Sequence, residues 1–532
     1  MIYSDPYTSR NYTFGQVKST ASDFGKGLKG LWDWQKGDVL ALYTPNSIDT
    51  PVITWGALFA GGIVSPANPN YNVEELTFQL KDSGAKAIAT QVPMLKNALA
   101  AAKNVGIPED RVILMGDERD KEGKFKHFMS IRNISGTQRY RRTKVDPAKD
   151  LAFLVYSSGT VSGQQQRSLD CGINSFQTGL PKGVMLSHTN IVANTMQNVS
   201  CESHLGPADN ILAFLPFFHI YGLTCILHHA LYRGFNCVVM PKFDIESWCR
   251  IVQDHKITFG YVVPPVVLLL SKHPVVDKYD LSSLRMMNSG AAPLTRELVE
   301  ALHKRTSLKV KQGYGLSETS PTTHAQEWAD WDTCIGSVGK MLPNMTAKFI
   351  DPEEKEVPTG SVGELWVKGP NIFQGYLNNA EGTANALTSD GYFKTGDVGY
   401  LDKNGNFFIT DRVKELIKYK GFQVPPAELE GLLASHPKIS DVAVIGVYRE
   451  DMASEVPLAF VVPSAEAKAG KELEKEIVEW LGAKVAQHKR LRGGVRFVEE
   501  IPKSVSGKIL RRLLKARYAE EVKKEEAPKA KL

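Results

Sequence analysis

The chain has 532 residues, 42% of them hydrophobic and 23% charged, with a formal net charge of +6. That length exceeds what one hydrophobic core serves, so two or more domains are expected, and the ordinary composition excludes a disordered or fibrous protein. So mild a charge admits an anionic small-molecule ligand but gives no argument for nucleic acid. No apolar run approaches the ~18–20 residues of a membrane span. The nearest, Tyr261–Leu270, holds Pro264 and Pro265 and reads as a core segment. The cysteines, Cys171, Cys201, Cys225, Cys237, Cys249 and Cys334, show no CxxC or metal-ligand spacing and read as reduced, mostly buried thiols of an intracellular protein.

In chain order, residues 1–150 alternate apolar runs (Val39–Tyr43, Ala87–Thr90, Val112–Leu114) with helical stretches (Phe14–Leu31, Val73–Ser83). That alternation predicts α/β layers around a largely parallel sheet. A second α/β unit is expected from about 190 to 330, with strands at Ile211–Phe214, Asn236–Val239 and Phe259–Val263 and a helix over Leu294–Lys304. Gly-rich β character follows, and Asn404-Gly405 marks a hairpin turn. Near Arg412 the pattern changes again. The stretch Lys414–Ile417, a helix over Ala427–Ser435, strands at Val442–Val447 and Leu458–Val462, and a helix around Glu472–Ala486 predict a small α+β unit.

Several segments carry legible chemistry. Ser157-Ser158-Gly159-Thr160 and Thr178-Gly179-Leu180-Pro181-Lys182 stand on either side of Val161–Gln177. Small Ser, Thr and Gly residues let successive backbone N–H groups turn inward as an anion nest, hydroxyls add donors, and Lys182 adds a point charge. The segment lacks the spacing of a Walker A loop. In Gln312–Thr319, reading QGYGLSET, the glycines let the backbone approach a flat base, and Ser317 and Glu318 offer the oxygens a hard divalent cation takes. In Lys394-Thr395-Gly396-Asp397, one carboxylate can accept hydrogen bonds from both hydroxyls of a ribose, a task assigned to Asp397. Lys508, on the glycine-flanked loop Pro502–Arg512, is a cation that such a loop can carry into a site and withdraw. Taken singly, each has a plainer reading: a turn, a surface Glu, an Asp in a turn, a basic loop.

Together and in this order, these segments resemble those of the adenylate-forming enzymes, a family that includes acyl-CoA synthetases, 4-coumarate–CoA ligases and beetle luciferases. Joined across Val161–Gln177, the first pair gives SSGTTGLPKGVMLSHTN, similar to the family's phosphate loop. The resemblance implies an α/β fold with a large N-terminal adenylation domain (residues 1–412) of layered α/β subdomains plus a β-rich subdomain. A small mobile α+β domain (413–518) and a charged tail (519–532) complete it. The substrates implied are ATP, CoA and a carboxylic acid, with Mg²⁺ held at Glu318. Ser157, Ser158, Gly159, Thr160, Thr178, Gly179, Lys182 and Ser317 are expected around the phosphates and Gly313 and Tyr314 at the base, with Tyr314 stacked on adenine. Gly290 and Ala291 are also expected among the ATP/AMP-binding residues, on the segment Ser289–Pro293 that floors the acyl tunnel. Arg412 is expected at the ribose or phosphate beside Asp397. Lys414 falls where the family bends, Lys418, Lys420 and Gly421 on the thiol-acceptor side, and Gln423 near the nucleotide. The segment Phe214–Gly222, reading FLPFFHIYG, resembles the family's aromatic His segment. It places His219 beside the carboxylate and Tyr221, Ser289 and Gly290 around the acyl chain. The HIY and SGAAPL strings match 4-coumarate–CoA ligases and favour an aryl or medium-length acid. Lys508, His219 and Lys418 are the expected catalytic residues of an AMP-forming acid–thiol ligase.

Two departures stand out. Residues 1–15 carry no signal peptide and begin on a strand-turn-helix pattern that the family normally reaches a few dozen residues later, so either a truncated start or a gene model that begins late is expected. The seventeen residues Val161–Gln177 are polar and aperiodic. They open on Val-Ser, which GTA-AGT encodes, and close on Phe-Gln, which TTT-CAG encodes, so the segment reads as a translated in-frame intron. A lineage-specific surface loop is the plainer alternative, because longer loops cost little closure entropy. As it stands, the interrupted loop also admits a non-catalytic or impaired adenylate-binding protein. The C-terminal Ala530-Lys531-Leu532 is close to the Ser-Lys-Leu address and predicts recognition by the peroxisomal import receptor.

Overall fold

The expected alternation is built from elements whose ends are written locally. Thr13 accepts from the Gln16 N–H while the Gln16 side chain reaches back, and the helix Phe14–Trp32 starts there. Asn72 and Glu75 make the same reciprocal box for Val73–Ser83, which stops at Gly84 in the left-handed region (φ 64°). The computed structural model describes residues 1–131, 143–157, 181–420, 422–504 and 507–526, with side chains of the last helix up to Val522. Its contacts divide the chain into two units: Met1–Phe259 with Gly315–Thr322 and Lys368–Phe393, and Gly260–Tyr314 with Thr323–Val367 and Lys394–Leu532.

In the first unit a six-stranded sheet runs in the order Val112–Leu114, Ala85–Thr90, Val39–Tyr43, Ile63–Ala67, Leu151–Ser157, Lys182–Ser187. The first five strands are parallel and the last is antiparallel to its neighbour. Val39–Tyr43 is buried at every position, as a parallel strand covered on both faces must be. Its side chains pack with Leu76, Leu80, Ile88, Ala98 and Ala102 from the flanking helices and strands. A further group pairs Asn210–Ala213 with Asn236–Val239 in parallel, and Tyr3–Ser4 adds parallel to the latter. The segment Tyr221–His228 is wound as a π-helix, which the hydrophobic pattern does not announce.

In the second unit, Met286–Ser289 lies parallel to Val310–Gly315. Tyr261–Leu270, expected as a core segment, is divided: the strand Phe259–Val262 ends and the helix Pro264–Lys272 begins on its two prolines. The helix expected over Leu294–Lys304 starts two residues later, at Arg296, because Thr295 is still extended (φ −84°, ψ 158°). A four-stranded sheet follows in the order Thr346–Ile350, Gly363–Lys368, Phe393–Leu401, Phe407–Arg412. The expected hairpin turn joins its last two strands, with Gly405 at φ 82°. Beyond it come the hairpin Ile417–Tyr419 and Phe422–Val424, the helix Pro426–Ala434, and a sheet of Ile439–Arg449, Ser454–Pro463 and Val495–Phe497. The helix Lys471–Gly482 ends four residues before its expected limit, at a glycine. The helix Arg511–Glu526 closes the described chain. Cys225, Cys237 and Cys249 are buried free thiols, while Cys201 and Cys334 are partly exposed; Cys171 falls outside the described residues.

Candidate active site

In the first unit, the antiparallel register sets Ser157 opposite Lys182, so the two ends of the candidate phosphate loop leave the sheet side by side. Ser158, Gly159, Thr160, Thr178, Gly179 and the whole of Val161–Gln177 lie outside the described residues. The roots of the loop are firmly held. The Tyr156 hydroxyl donates to Asp82 Oδ2 at 2.6 Å, and a Cβ on Gly183 would stand 3.2 Å from both Leu377 and the Tyr156 ring. Next to the Lys182 strand runs Gln374–Leu377, joined to it by backbone hydrogen bonds from Gln374 N to Met185 O, Met185 N to Gly375 O and Leu377 N to Gly183 O.

Ser317 and Glu318 sit on one 3₁₀ turn, Ser317–Thr319. The turn needs its glycine, because a Cβ on Gly315 would lie 2.1 Å from the Pro321 carbonyl oxygen. Glu318 is only 9% exposed, and its Oε1 accepts a 2.8 Å hydrogen bond from the Tyr376 hydroxyl. The Lys182 ammonium lies 4.7 Å from the centre of the same tyrosine ring.

His219 follows a chain reversal that Asn46 pins, accepting from Phe217 N at 2.8 Å and donating to Leu215 O at 2.9 Å. His219 Nδ1 accepts from the Tyr221 N–H at 3.3 Å, and burial pushes the imidazole down to about 4. The ring is therefore neutral at pH 7, and a carboxylate beside it meets a hydrogen-bonding group rather than a cation. Tyr221 is buried, and Gly222 is obligatory: a Cβ there would lie 2.3 Å from the Pro216 oxygen.

In the second unit, four expected residues from distant parts of the chain converge. Tyr314 donates to Asp397 Oδ2 at 2.5 Å, and Arg412 Nε lies 3.1 Å from Asp397 Oδ1, the two residues facing each other across the hairpin. Burial raises the Asp397 carboxyl above its ordinary range against the pull of Arg412, the Tyr314 hydroxyl and Lys508. Lys508 sits in the same electrostatic neighbourhood. Burial and then Arg412 push its ammonium down to about 8, while Glu415 and Asp397 pull the other way. Its loop is held by Ser504 N donating to Lys508 O at 2.8 Å, and Gly507 turns at φ 81° with Pro265 3.2 Å from where a Cβ would stand. Gly290 N donates to Val262 O, Ala291 takes φ 71°, and Ser289 Oγ is buried with no partner among the described residues. A Cβ on Gly313 would stand 3.3 Å from His324 O and 3.4 Å from the Asn288 amide, so the backbone is bare there for close approach.

The comparisons with known proteins bear directly on this constellation. The family pattern described as "AMP-binding enzyme" matches residues 1–165 and 175–377, and that described as "AMP-binding enzyme C-terminal domain" matches 428–508. The chain belongs to the AMP-binding enzyme family. It is 40% identical over 97% of its length to a probable 4-coumarate–CoA ligase 1 of Dictyostelium discoideum, covering 92% of that protein. It is 39% identical to a 4-coumarate–CoA ligase of Pinus taeda, over 97% of this chain and 91% of the other. Among solved structures it resembles the anthranilate CoA ligase AuaEII in complex with anthranoyl-AMP. The TM-score is 0.86 at 25% identity, over 97% of this chain and 93% of that one.

Not every residue expected of an AMP-binding enzyme joins the Asp397 cluster. Lys418 and Gln423 face each other on the short hairpin, whose backbone hydrogen bonds among the described residues reach Glu455 and Ser454. Lys418 N donates to Glu455, and Lys420 N to Ser454 Oγ. Gly421 lies outside the described residues. The sequence reading passed over Tyr376 and Asp82, which brace the strands bordering the candidate phosphate loop. It also passed over Arg511, whose buried guanidinium pairs with Glu415 and, at 2.7 Å, with Glu430. On the hairpin it missed Phe422, stacked on His488 at 4.6 Å, and Arg492 over Tyr419. The string FQGYLNN, with its isolated glycine before an aromatic residue, was the one available sign of Tyr376.

Proposed function

We propose that the acid activated by this AMP-forming acid–CoA ligase is aryl or medium-chain. A carboxylate cannot expel oxide, so ATP first converts it to an acyl-AMP with loss of pyrophosphate, and the CoA thiol then displaces AMP. The observation that carries the assignment of roles is the cluster of Tyr314, Asp397, Arg412 and Lys508. Asp397 and Arg412 take the ribose and α-phosphate side. Lys508 supplies the positive charge as negative charge builds between the attacking carboxylate and phosphorus. Lys182 and the loop it closes hold the β- and γ-phosphates, and Ser317 lies beside them. Neutral His219 orients the acid's carboxylate, with Tyr221, Ser289 and Gly290 around its chain. Lys418, Lys420 and Gly421 serve the thiol step. The relatives named 4-coumarate–CoA ligase and the ligase solved with anthranoyl-AMP support an aromatic acid.

Glu318 fits Mg²⁺. It is a nearly buried carboxylate with one oxygen oriented by Tyr376 and no ion pair among the described residues. Mg²⁺ commonly takes one or two carboxylates and completes its shell with phosphates and water. Bound with ATP, it would neutralise charge on the leaving pyrophosphate.

The family match breaks between residues 165 and 175, inside the inserted segment. Residues 166–174 fall outside the match, which supports foreign sequence within the loop, and we read the whole of Val161–Gln177 as a translated intron. ATP–pyrophosphate exchange and CoA consumption, screened with aryl, hydroxylated and medium-chain acids, test the proposal on the chain with and without these residues. Turnover of aryl or medium-chain acids supports it. Exchange confined to short dicarboxylic or long-chain acids refutes the substrate class, and no exchange by either form favours a binding protein.

A further inference from the structure

Lys182 and Glu318 carry opposite charges close to one tyrosine, yet no ion pair joins them among the described residues. Tyr376 stands between them, and its two chemically distinct parts face different partners. The hydroxyl donates to Glu318 Oε1 at 2.8 Å. The ring face meets the Lys182 ammonium 4.7 Å from its centroid. A phenol is suited to both tasks: its O–H is a donor for a carboxylate, and its π face attracts a cation.

The backbone fixes this arrangement. Tyr376 pairs with Val184 in an isolated antiparallel bridge, and Lys182, two residues along the strand, projects from the same side. The same segment is tied to the other partner, because Phe373 N donates to the Glu318 carbonyl at 2.8 Å. The Phe373 ring meets Tyr376 edge-on at 4.9 Å, and Tyr376 N donates to Thr383 Oγ1 at 2.9 Å. One short stretch of chain is therefore hydrogen-bonded both to the strand that bears the lysine and to the turn that bears the carboxylate.

We propose that Tyr376 is a positioning residue that holds Lys182 and Glu318 apart at a fixed separation, preventing them from neutralising each other and leaving the cation for phosphate and the carboxylate for the metal ion. The proposal rests on the phosphate-site reading above. Replacing Tyr376 by Phe keeps the ring under Lys182 but releases Glu318; replacing it by Leu removes both restraints and lets the two charges pair.

The test is equilibrium binding of ATP with and without metal, and of Mn²⁺ to the ATP complex by electron paramagnetic resonance. The full chain is used, alone and without Val161–Gln177. Tyr376→Phe should bind metal-free ATP within about twofold of wild type but hold Mn²⁺ about tenfold more weakly, the scale of one hydrogen bond to a charged group. Tyr376→Leu should lose about tenfold in metal-free ATP affinity as well. Adding Glu318→Gln to Tyr376→Leu should restore that affinity, because Lys182 no longer has a carboxylate to pair with. A tyrosine that only packs would give lower melting temperatures with no selective loss of Mn²⁺ and no rescue by Glu318→Gln, and that result overturns the proposal. If neither wild-type form binds ATP, the phosphate-site reading itself falls and the proposal with it.

Discussion

Lys508 is held in a conflicted position, and its chemistry follows from the conflict. Burial and Arg412 favour the neutral amine, Glu415 and Asp397 favour the ammonium, and the balance falls at about 8. Only the ammonium can stabilise the charge of the adenylation step. Acyl-AMP formation should therefore be fully supported below that value and decline as pH rises through about 8. Lys508→Ala should lower acyl-AMP formation by ~10²-fold or more, the scale of removing one preorganised donor, and abolish the high-pH limb. Thioesterification of a supplied acyl-AMP should survive in that variant, whereas Lys418→Ala should slow chiefly the CoA step. Separate assays of pyrophosphate exchange and of CoA consumption from acyl-AMP check both; equal loss of the two half-reactions would refute the division of labour.

At the scale of elements, two contacts hold functional segments in place. The turn Ser317–Thr319 depends on the bare backbone of Gly315, since a Cβ would stand 2.1 Å from the Pro321 oxygen. Gly315→Ala should cost about 1–3 kcal/mol in thermal unfolding by overpacking. Because the displaced turn carries Glu318, exchange should fall further than the stability loss accounts for. Near the C-terminus, Arg511 lies between Glu415, beside Lys508, and Glu430 on the helix Pro426–Ala434; all three side chains are largely buried. Arg511→Met leaves two carboxylates without their cation and should cost about 3–5 kcal/mol. Burial already raises the Glu430 carboxyl against the pull of Arg511. Without the guanidinium the Glu430 carboxyl rises further in the folded state, so the variant should recover stability as pH falls and Glu430 protonates. Adding Glu430→Gln should recover part of the loss at neutral pH. Melting curves across pH check the sign.

At the scale of the whole molecule, the inserted segment and the C-terminus carry the remaining predictions. An anion nest needs consecutive N–H groups, so seventeen extra residues between Thr160 and Thr178 spare the fold more readily than the loop. The chain lacking Val161–Gln177 should adenylate its acid at least tenfold faster than the full chain, on the scale of one lost charge-assisted contact. Sequencing the mature transcript checks the origin: if the corresponding codons persist in most messages, the intron reading fails, and equal rates for the two proteins would show that the loop tolerates the insertion. We further propose import into peroxisomes through Ala530-Lys531-Leu532. A fluorescent fusion lacking those residues should become cytosolic, and an unchanged distribution would refute the address.

What the sequence determined alone was what is local or carried by side-chain type. The capping boxes at Thr13 and Asn72, the stop at Gly84 and the Asn404-Gly405 turn each depend on residues within a few positions, so they are readable from the chain. The chemical alphabet of the site was readable for the same reason: a lysine beside glycines, a carboxylate beside a hydroxyl, a single aspartate in a turn. Tertiary structure decided which of these letters meet. Tyr314 reaches Asp397 across 83 positions, Tyr376 reaches Glu318 across 58, and Arg511 reaches Glu415 across 96. Nothing at either end of such a pair marks its partner, because the meeting is set by sheet register and chain reversal rather than by local propensity. The π-helix at Tyr221–His228 escaped for a related reason: its apolar residues suit a buried α-helix equally well, and packing chose the wider turn. Lys508 shows both halves at once. Its glycine-flanked loop was visible in the sequence, but only the burial and the four charged neighbours assembled by folding bring its ammonium down to about 8, where a change of pH can switch it.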